Sequence, residues 1–244
     1  MLVKPFEAPP FNEYYKGAYS EQELKWLRAC AIDKADNLQA LLGFRRVYSV
    51  LEVGCGTGTV LAEIAKRGIG THHTGVDIVA PSDHLNPDAS GLTFLEYDGV
   101  TLPFPDDNFD LVFASHVIEH VLEPRGFISE LSRVTRGLIY LEVPCELHVR
   151  TTHKALQASL NIGHINAYSP ESIALLCQTA GLTVIDIRLF DHSFEVQKFH
   201  TSRLTALLKM AIRSSLLRMN AIVASRFFTY HCGILCAPVN KELA

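Results

Sequence analysis

No run of about 20 residues in this chain is both apolar and free of charge, so nothing in it reads as a membrane-spanning helix. The opening residues, Met1-Leu2-Val3-Lys4-Pro5, show no apolar signal region. The six cysteines, at 30, 55, 145, 177, 232 and 236, lack zinc-knuckle spacing. Cys232 and Cys236 stand four apart in a strand-like run, so the pattern points to a reduced, cytoplasmic protein and assigns no metal. Internal repeats and low-complexity tracts are absent, which leaves one ordinary globular domain of 244 residues, 48% apolar, able to bury one core. Basic residues are scarce up to residue 195, where 15 Lys and Arg face 25 Asp and Glu for a net −10. The balance inverts over 196–244, with seven Lys and Arg against the lone acid Glu242, a net +6. That late segment is either a solvated helix face or a contact for an anionic substrate, a nucleic acid or a lipid surface. An anionic or lipid partner, with peripheral membrane contact through 198–226, is carried forward; nucleic acid is not.

Against these absences stands one concentrated signal, Val50-Leu51-Glu52-Val53-Gly54-Cys55-Gly56-Thr57-Gly58. A short β-branched run ends in an acid and then three alternate glycines, which reads as a buried strand, a tight turn and a helix start. Glycines at 54, 56 and 58 leave bare backbone against which a nucleoside ligand can lie. Spacing decides between ligands. A dinucleotide loop wants Gly-x-Gly-x-x-Gly, and here Thr59 stands where the third glycine belongs. A P-loop needs Lys-Ser or Lys-Thr after its glycines, and Val60-Leu61 follow instead. Glu52 would repel a pyrophosphate but suits a cationic or amino group, and S-adenosylmethionine offers both a sulfonium and an α-amine.

Strands and helices alternate along the rest of the chain. Ser20-Glu21-Gln22-Glu23 is a capping box opening a helix near 21–42, and Gly43 suits its C-terminal end. Strands are expected at 47–53, 73–78, 92–97, 110–114, 138–143, 182–187 and near 227–237. Helices are expected at 58–67, 126–136, from Ser169-Pro170-Glu171 to about Gly181, and at 203–219. Such alternation argues for a parallel sheet covered on both faces. The longest stretch without a pattern, 145–168, is too long for a passive connection and reads as a substrate lid.

Four expected strand ends carry groups suited to a nucleoside, where open α/β sheets bind ligands. The glycine loop follows the first strand, Asp77 ends the second, Asp98 with Gly99 ends the third, and Ser115-His116 follow the fourth. With these residues the sequence resembles the class I S-adenosylmethionine-dependent methyltransferases. Leu102-Pro103-Phe104-Pro105-Asp106-Asp107-Asn108-Phe109-Asp110, then Ser115-His116-Val117-Ile118-Glu119-His120-Val121, looks like the type 11 (ubiquinone/menaquinone-type) subfamily. His164-Ile165-Asn166-Ala167-Tyr168-Ser169-Pro170 resembles a segment many such enzymes carry before their last crossover helix. The resemblance covers roughly 45–190. It implies a seven-stranded sheet in the order 3-2-1-4-5-7-6 with strand seven antiparallel, and methyl transfer from S-adenosylmethionine by in-line displacement, leaving S-adenosylhomocysteine. Glu52, Gly54, Cys55, Gly56 and Gly58 would hold the methionine end, Asp77 and Ile78 the ribose, Asp98 and Gly99 the adenine edge, and Ser115 and His116 would close the site. His116 or His164 is the candidate base for a hydroxyl acceptor. The flanks, an N-terminal helical cap over 1–44 and a basic helical insertion over 191–226, match less well, and there the choice of a small-molecule or lipid-linked acceptor is expected to reside.

Two other readings compete: a non-catalytic protein that binds the same ligand on the same fold, and a zinc hydrolase. His116-Val117-Ile118-Glu119-His120 spells His-x-x-Glu-His, an inverted zinc-peptidase pattern, with Glu195 as a nominal third ligand. That needs one long helix through 116–120, whereas the segment directly follows a strand, and the glycine loop has no role in a peptidase. His148, His153 and His164 in or near the lid are further base candidates. Tyr14, Tyr15 and Tyr19 are candidates for a flap over the cofactor. Leu204, Leu207, Leu208, Ala211 and Ile212 read as the core-facing stripe of the basic helix.

Overall fold

The computed structural model describes residues 20–79, 85–199 and 201–239. The tyrosines at 14, 15 and 19 lie outside these. The sheet is as the sequence pattern implies: seven strands in the order β3-β2-β1-β4-β5-β7-β6. They are β1 Ser49–Val53, β2 His72–Asp77, β3 Thr93–Glu96, β4 Phe109–Ser115, β5 Thr135–Pro144, β6 Leu182–Phe190 and β7 His231–Pro238. β1 runs parallel to β2 and β4, and β7 runs antiparallel to both β5 and β6.

The helices are α1 Glu21–Leu42, α2 Thr59–Lys66, α3 Pro124–Val134, α4 His153–Leu160, α5 Pro170–Thr179, α6 Phe194–Gln197, α7 Arg203–Met219 and α8 Ala221–Phe227. The Ser20–Glu23 capping box is formed, satisfying helix-start N–H groups that have no partner within the helix. Successive strand residues point to opposite faces. Leu51, Val53, Val112 and Ala114 join one core with Ile128 and Leu131 of α3 and Ile173 of α5. Val50, Leu111 and Phe113 join the other with Leu38 and Leu41 of α1 and Leu61 and Ile64 of α2. The strand order reverses direction between β1 and β4, and the crevice beyond their carboxyl ends is where this architecture receives ligands.

Two expectations need correction. Residues 145–168 are not structureless: Thr152 caps α4 within them, and Leu147 N donates to Tyr168 O, tying the ends of the stretch together. The basic insertion is helical as expected, with α7 at the expected 203–219 and α6 and α8 on either side. The leucine stripe of α7 faces outward: Leu204, Leu207, Leu208 and Ile212 are exposed, and of α7 only Ala206 is fully buried. The inward row is Ala206, Met210, Arg213 and Leu217, at the same helical spacing but rotated. Arg213 sets that rotation, because its guanidinium pairs with Asp191 at 2.7 Å and donates to Thr229 O while Tyr230 Oη donates to its carbonyl.

Candidate active site

The glycine loop is fastened to β2. Gly54 N and Cys55 N both donate to Val76 O, at 2.8 and 3.1 Å, and Gly56 N donates to Asp77 Oδ2 at 2.7 Å. All three glycines have positive φ, where a side chain is strained. Only Gly56 also faces open space: a Cβ there meets nothing within 4 Å among the described residues. At Gly54 a Cβ would stand 2.4 Å from Val117 Cγ2, and at Gly58 2.6 Å from Phe94 Cζ. Two of the three glycines therefore serve close packing within the protein, and one leaves room for a ligand.

The loop forms the floor of a cavity of about 820 Å³. Glu52, Gly54, Cys55, Gly56, Asp77, Ile78, Asp98, Gly99, Ser115 and His116 all line it, whereas Gly58 and the base candidates His148, His153 and His164 do not. Lys34, Tyr97, Thr101, His120 and Phe127 complete the wall. Lys34 and Tyr97 carry no motif, and sequence spacing gave no signal for either.

Glu52 is buried, and its Oε2 has no hydrogen-bond partner among the described residues. Burial pushes the carboxyl up to about 8, with Lys34 pulling against it and Asp77 adding to the rise. Asp77 is also raised by burial, although the N–H groups of Gly56 and Val79 hold its two oxygens. Asp98 differs: it is exposed, and the Thr101 and Val100 N–H groups both donate to Oδ1 and lower its pKa. Ser115 Oγ is a second buried polar atom without a partner among the described residues.

His116 sits in the left-handed backbone region, φ +61°, unusual for a non-glycine residue. Its N–H donates to Glu142 O at 2.8 Å, which pins the turn after β4. Its Nε2 meets His231 Nδ1 at 2.7 Å, and His231 Nε2 meets His192 Nε2 at 2.9 Å. Its Nδ1 stands 3.3 Å from Glu119 Oε1. Burial and Lys34 would lower the imidazole pKa, but Glu119 and Glu142 outweigh them and raise it. Both ring nitrogens are thus engaged.

His120 Nδ1 lies 3.0 Å from Gly163 O, and His164 Nδ1 lies 2.9 Å from Glu146 Oε2. His164 packs behind His120 with ring centroids 4.8 Å apart, outside the cavity wall, and no residue of 145–168 lines the cavity. His148 meets Thr229 Oγ1 at 3.2 Å and lies in a separate surface pocket with Arg150 and Lys209. The His-x-x-Glu-His segment begins directly after β4 and ends in a 3-10 turn, Ile118–His120, rather than forming one long helix. Its two histidines fall into different side-chain groups, and Glu195 pairs with Lys198 on α6. The peptidase geometry is therefore not formed.

The atoms left over fit a nucleoside carrying a cationic tail. Among the described residues Glu52 Oε2 accepts from nothing and Ser115 Oγ has no partner, and Gly56 leaves backbone facing the cavity. A buried polar group with no partner costs about 1–3 kcal/mol, which a ligand ammonium or hydroxyl would relieve.

Comparison with known proteins agrees. Residues 23–187 match the family model described as a methyltransferase domain. Among curated proteins, an uncharacterized methyltransferase of Mycobacterium sp. (strain JLS) is 37% identical over 89 residues, 36% of this chain and 34% of that protein. The malonyl-[acyl-carrier protein] O-methyltransferase of Salmonella typhimurium is 30% identical over 140 residues, 56% of this chain and 55% of that protein. The matched stretches thus span between a third and just over half of these relatives. Among solved structures, a geranyl diphosphate C-methyltransferase from Streptomyces coelicolor A3(2), in complex with S-adenosylhomocysteine, superposes with a TM-score of 0.63 at 14% identity, over 95% of this chain and 89% of that one.

Proposed function

This chain belongs to the methyltransferase-domain family, within the S-adenosylmethionine-dependent class I enzymes, and from that premise we propose that it methylates a small-molecule acceptor of lipid or sugar type. One observation carries the placement of the cofactor: buried Glu52, with an unpartnered oxygen, shares one cavity wall with Asp77 and the open side of Gly56. In this reading Glu52 receives the ammonium of the methionine end. Asp77 accepts from the ribose hydroxyls, and Asp98 and Gly99 face the adenine edge. When bound, S-adenosylmethionine supplies an electrophilic methyl group on a sulfonium.

The chain's own residues then position rather than activate. The β4 end, with Ser115, His116 and Val117, closes one side of the cavity, and Tyr97, Val121, Leu122 and Phe127 supply apolar wall for the acceptor. Holding two reactants in line contributes about 7–11 kcal/mol in well-oriented systems. Glu119 and Glu142 beside the His116 ring raise its pKa, so in this reading they stabilise positive charge on the cavity wall facing the acceptor. An acceptor that is acidic, or already anionic, suits such a site better than an unactivated alcohol.

The outer face of α7 and α8 supports an amphiphilic acceptor. Leu204 (78% exposed), Met219 (82%) and Ile222 (66%) project beside Arg203, Lys209 and Arg218. An apolar row flanked by cations matches an anionic lipid surface, where lipid-linked acceptors reside. No helix among the described residues is long and apolar enough to cross a membrane. A curated relative named a malonyl-[acyl-carrier protein] O-methyltransferase and a structural neighbour named a geranyl diphosphate C-methyltransferase support this reading. The test is transfer of labelled methyl from S-adenosylmethionine to a panel of acyl, prenyl and glycosyl acceptors. Label on an acyl or prenyl carboxylate or phosphate supports the reading, whereas label only on small amines would overturn it.

A further inference from the structure

A second pocket, of about 370 Å³, lies between the stretch just ahead of α4 and the helices α7 and α8. It shares no residue with the cofactor cavity. Three cations line it: Arg150 from that stretch, and Lys209 and Arg213 from α7. No Asp or Glu does. Of the three, only Arg213 pairs with an acid among the described residues, Asp191. Lys209 makes no ion pair or hydrogen bond with any of them. Both guanidiniums stand over one ring, that of Phe228, with centroid distances of 5.6 Å for Arg150 and 5.4 Å for Arg213. Gathering like charges on one ring is unfavourable by itself, and an anion in the pocket offsets that repulsion.

The acceptors beside these cations are already used. Phe227 O accepts from Arg150 Nη1 at 3.3 Å, Thr229 O accepts from Arg213 Nη2, and Arg213 O accepts from Tyr230 Oη. His148 Nδ1 accepts from the Arg150 N–H at 3.3 Å, which places the ring hydrogen on Nε2. That hydrogen is donated to Thr229 Oγ1 at 3.2 Å. Burial and Arg150 hold His148 below the usual histidine range, in keeping with a neutral ring. A hydroxyl that accepts keeps its own hydrogen to give. What these groups have left to offer is donors: the Thr229 hydroxyl, the Lys209 ammonium, Arg213 Nη1 and Arg150 Nη2. The rest of the wall is apolar, with Ile212 and Phe227 each about half exposed.

We propose that this pocket is a binding site for a phosphate group. Arg150 and Lys209, the two cations without an acidic partner, match the charge of a phosphate dianion, and four separate donors match its several oxygens. The guanidinium fork suits phosphate in particular. The volume leaves room for the group to which the phosphate is esterified, against Phe227 and Ile212. Two sources carry such a phosphate: an anionic lipid headgroup and a soluble phosphate ester. The exposed apolar residues of α7 and α8 favour the lipid, and that choice rests on reading their outer face as a membrane contact. The binding of phosphate rests neither on that contact nor on the methyltransferase reading.

The test is calorimetric titration of sn-glycerol 3-phosphate into the full chain, with co-sedimentation on phosphatidylcholine vesicles with and without phosphatidate as a second readout. One equivalent should bind in the wild type, more weakly as salt is raised. Arg150→Gln with Lys209→Gln should weaken it by about tenfold or more, since both remove charge-assisted hydrogen bonds. Lys209→Gln alone, at an exposed residue with no contact to lose, should cost about threefold or more. Lys25→Gln with Lys66→Gln removes the same charge from exposed positions on α1 and α2 and should change affinity by less than about twofold. S-adenosylhomocysteine affinity is measured in the same samples: retained affinity shows that the variants are folded and separates failure of this pocket from failure of the cofactor reading. Phosphatidate-dependent sedimentation that the Arg150 and Lys209 substitutions abolish assigns the phosphate to a lipid headgroup. Sedimentation indifferent to them, while glycerol phosphate binding depends on them, assigns it to a soluble ester. No saturable glycerol phosphate binding in the wild type, or equal weakening by the two double substitutions, overturns the proposal.

Discussion

Burial lifts the Glu52 carboxyl to about 8, so at pH 7 the ligand-free protein holds it roughly nine-tenths protonated. An ammonium brought beside a carboxylate lowers its pKa by 1–3, and a fall of about 2 would leave it near 6. The bound carboxyl is then roughly one-tenth protonated at pH 7, so each ligand bound expels about 0.8 of a proton. The sign follows from the deprotonated form being the one the ligand favours. Affinity should rise as pH goes from 6 to 8, by up to about 100-fold or 2.7 kcal/mol, and level off on either side. The assay is calorimetric titration of S-adenosylhomocysteine at pH 7 in two buffers of different ionisation enthalpy, in wild type and in Glu52→Gln. The difference between the two proteins cancels the titration of the ligand's own amine. Wild type should release the additional proton and the variant should not. In the ligand-free protein the same burial has the opposite consequence. The unfolded chain ionises Glu52 from about 4.5 upward while the fold resists ionisation until about 8, so Glu52 costs stability increasingly across that window. Glu52→Gln should therefore melt higher than wild type at pH 8 and close to it at pH 4. Equal proton release from both proteins would refute the assignment of the ammonium to Glu52.

Asp77→Ala removes both the expected ribose acceptor and the anchor of Gly56 N; S-adenosylhomocysteine affinity should fall by 100-fold or more, read by the same calorimetry. Asp110 is buried enough to be raised, but hydrogen bonds from Arg136, Ser49 and Tyr48 outweigh this and hold it at about 2. Its pKa is depressed in the fold, so its stabilisation of about 2 kcal/mol is present above about 4 and vanishes as pH falls toward 2; Asp110→Asn should flatten the acid limb of a denaturation curve by that amount. Lys209→Glu with Arg218→Glu should reduce co-sedimentation with anionic vesicles and leave the melting temperature within about 2 °C, since exposed charges contribute little to stability. Arg213 is excluded from that pair because it anchors α7 to Asp191.

Much of the fold could be read from the sequence, because parallel strands buried on both faces leave short β-branched runs and helices between them carry their own stop signals. The loop at 54–58 marked β1 and its turn, Ser20 with Glu23 marked α1, and Ser169-Pro170 marked α5. The strand ends that gather around the cavity were legible for the same reason, since Asp77, Asp98 and Ser115 each follow such a run. What spacing could not give was contact across the sheet. His231 and Glu142 come from different strands yet meet His116, and His192 joins them through His231, and no local pattern announces that. Lys34 reaches the cavity from the middle of α1, where it looks like any solvated lysine. In α7 two rows have helical spacing, and which one faces inward is decided by Arg213 and Asp191 rather than by hydrophobicity. The glycine loop was read as three openings for a ligand, while Val117 and Phe94 occupy the space at two of them.

The most direct measurement is a co-crystal structure with S-adenosylhomocysteine. The ammonium should lie within hydrogen-bond distance of Glu52, the ribose hydroxyls on Asp77, the backbone of Gly56 against the ligand, and the sulfur facing the wall formed by His116, Val121 and Phe127. A ligand seated elsewhere, or a cavity that stays empty at saturating ligand, would contradict it.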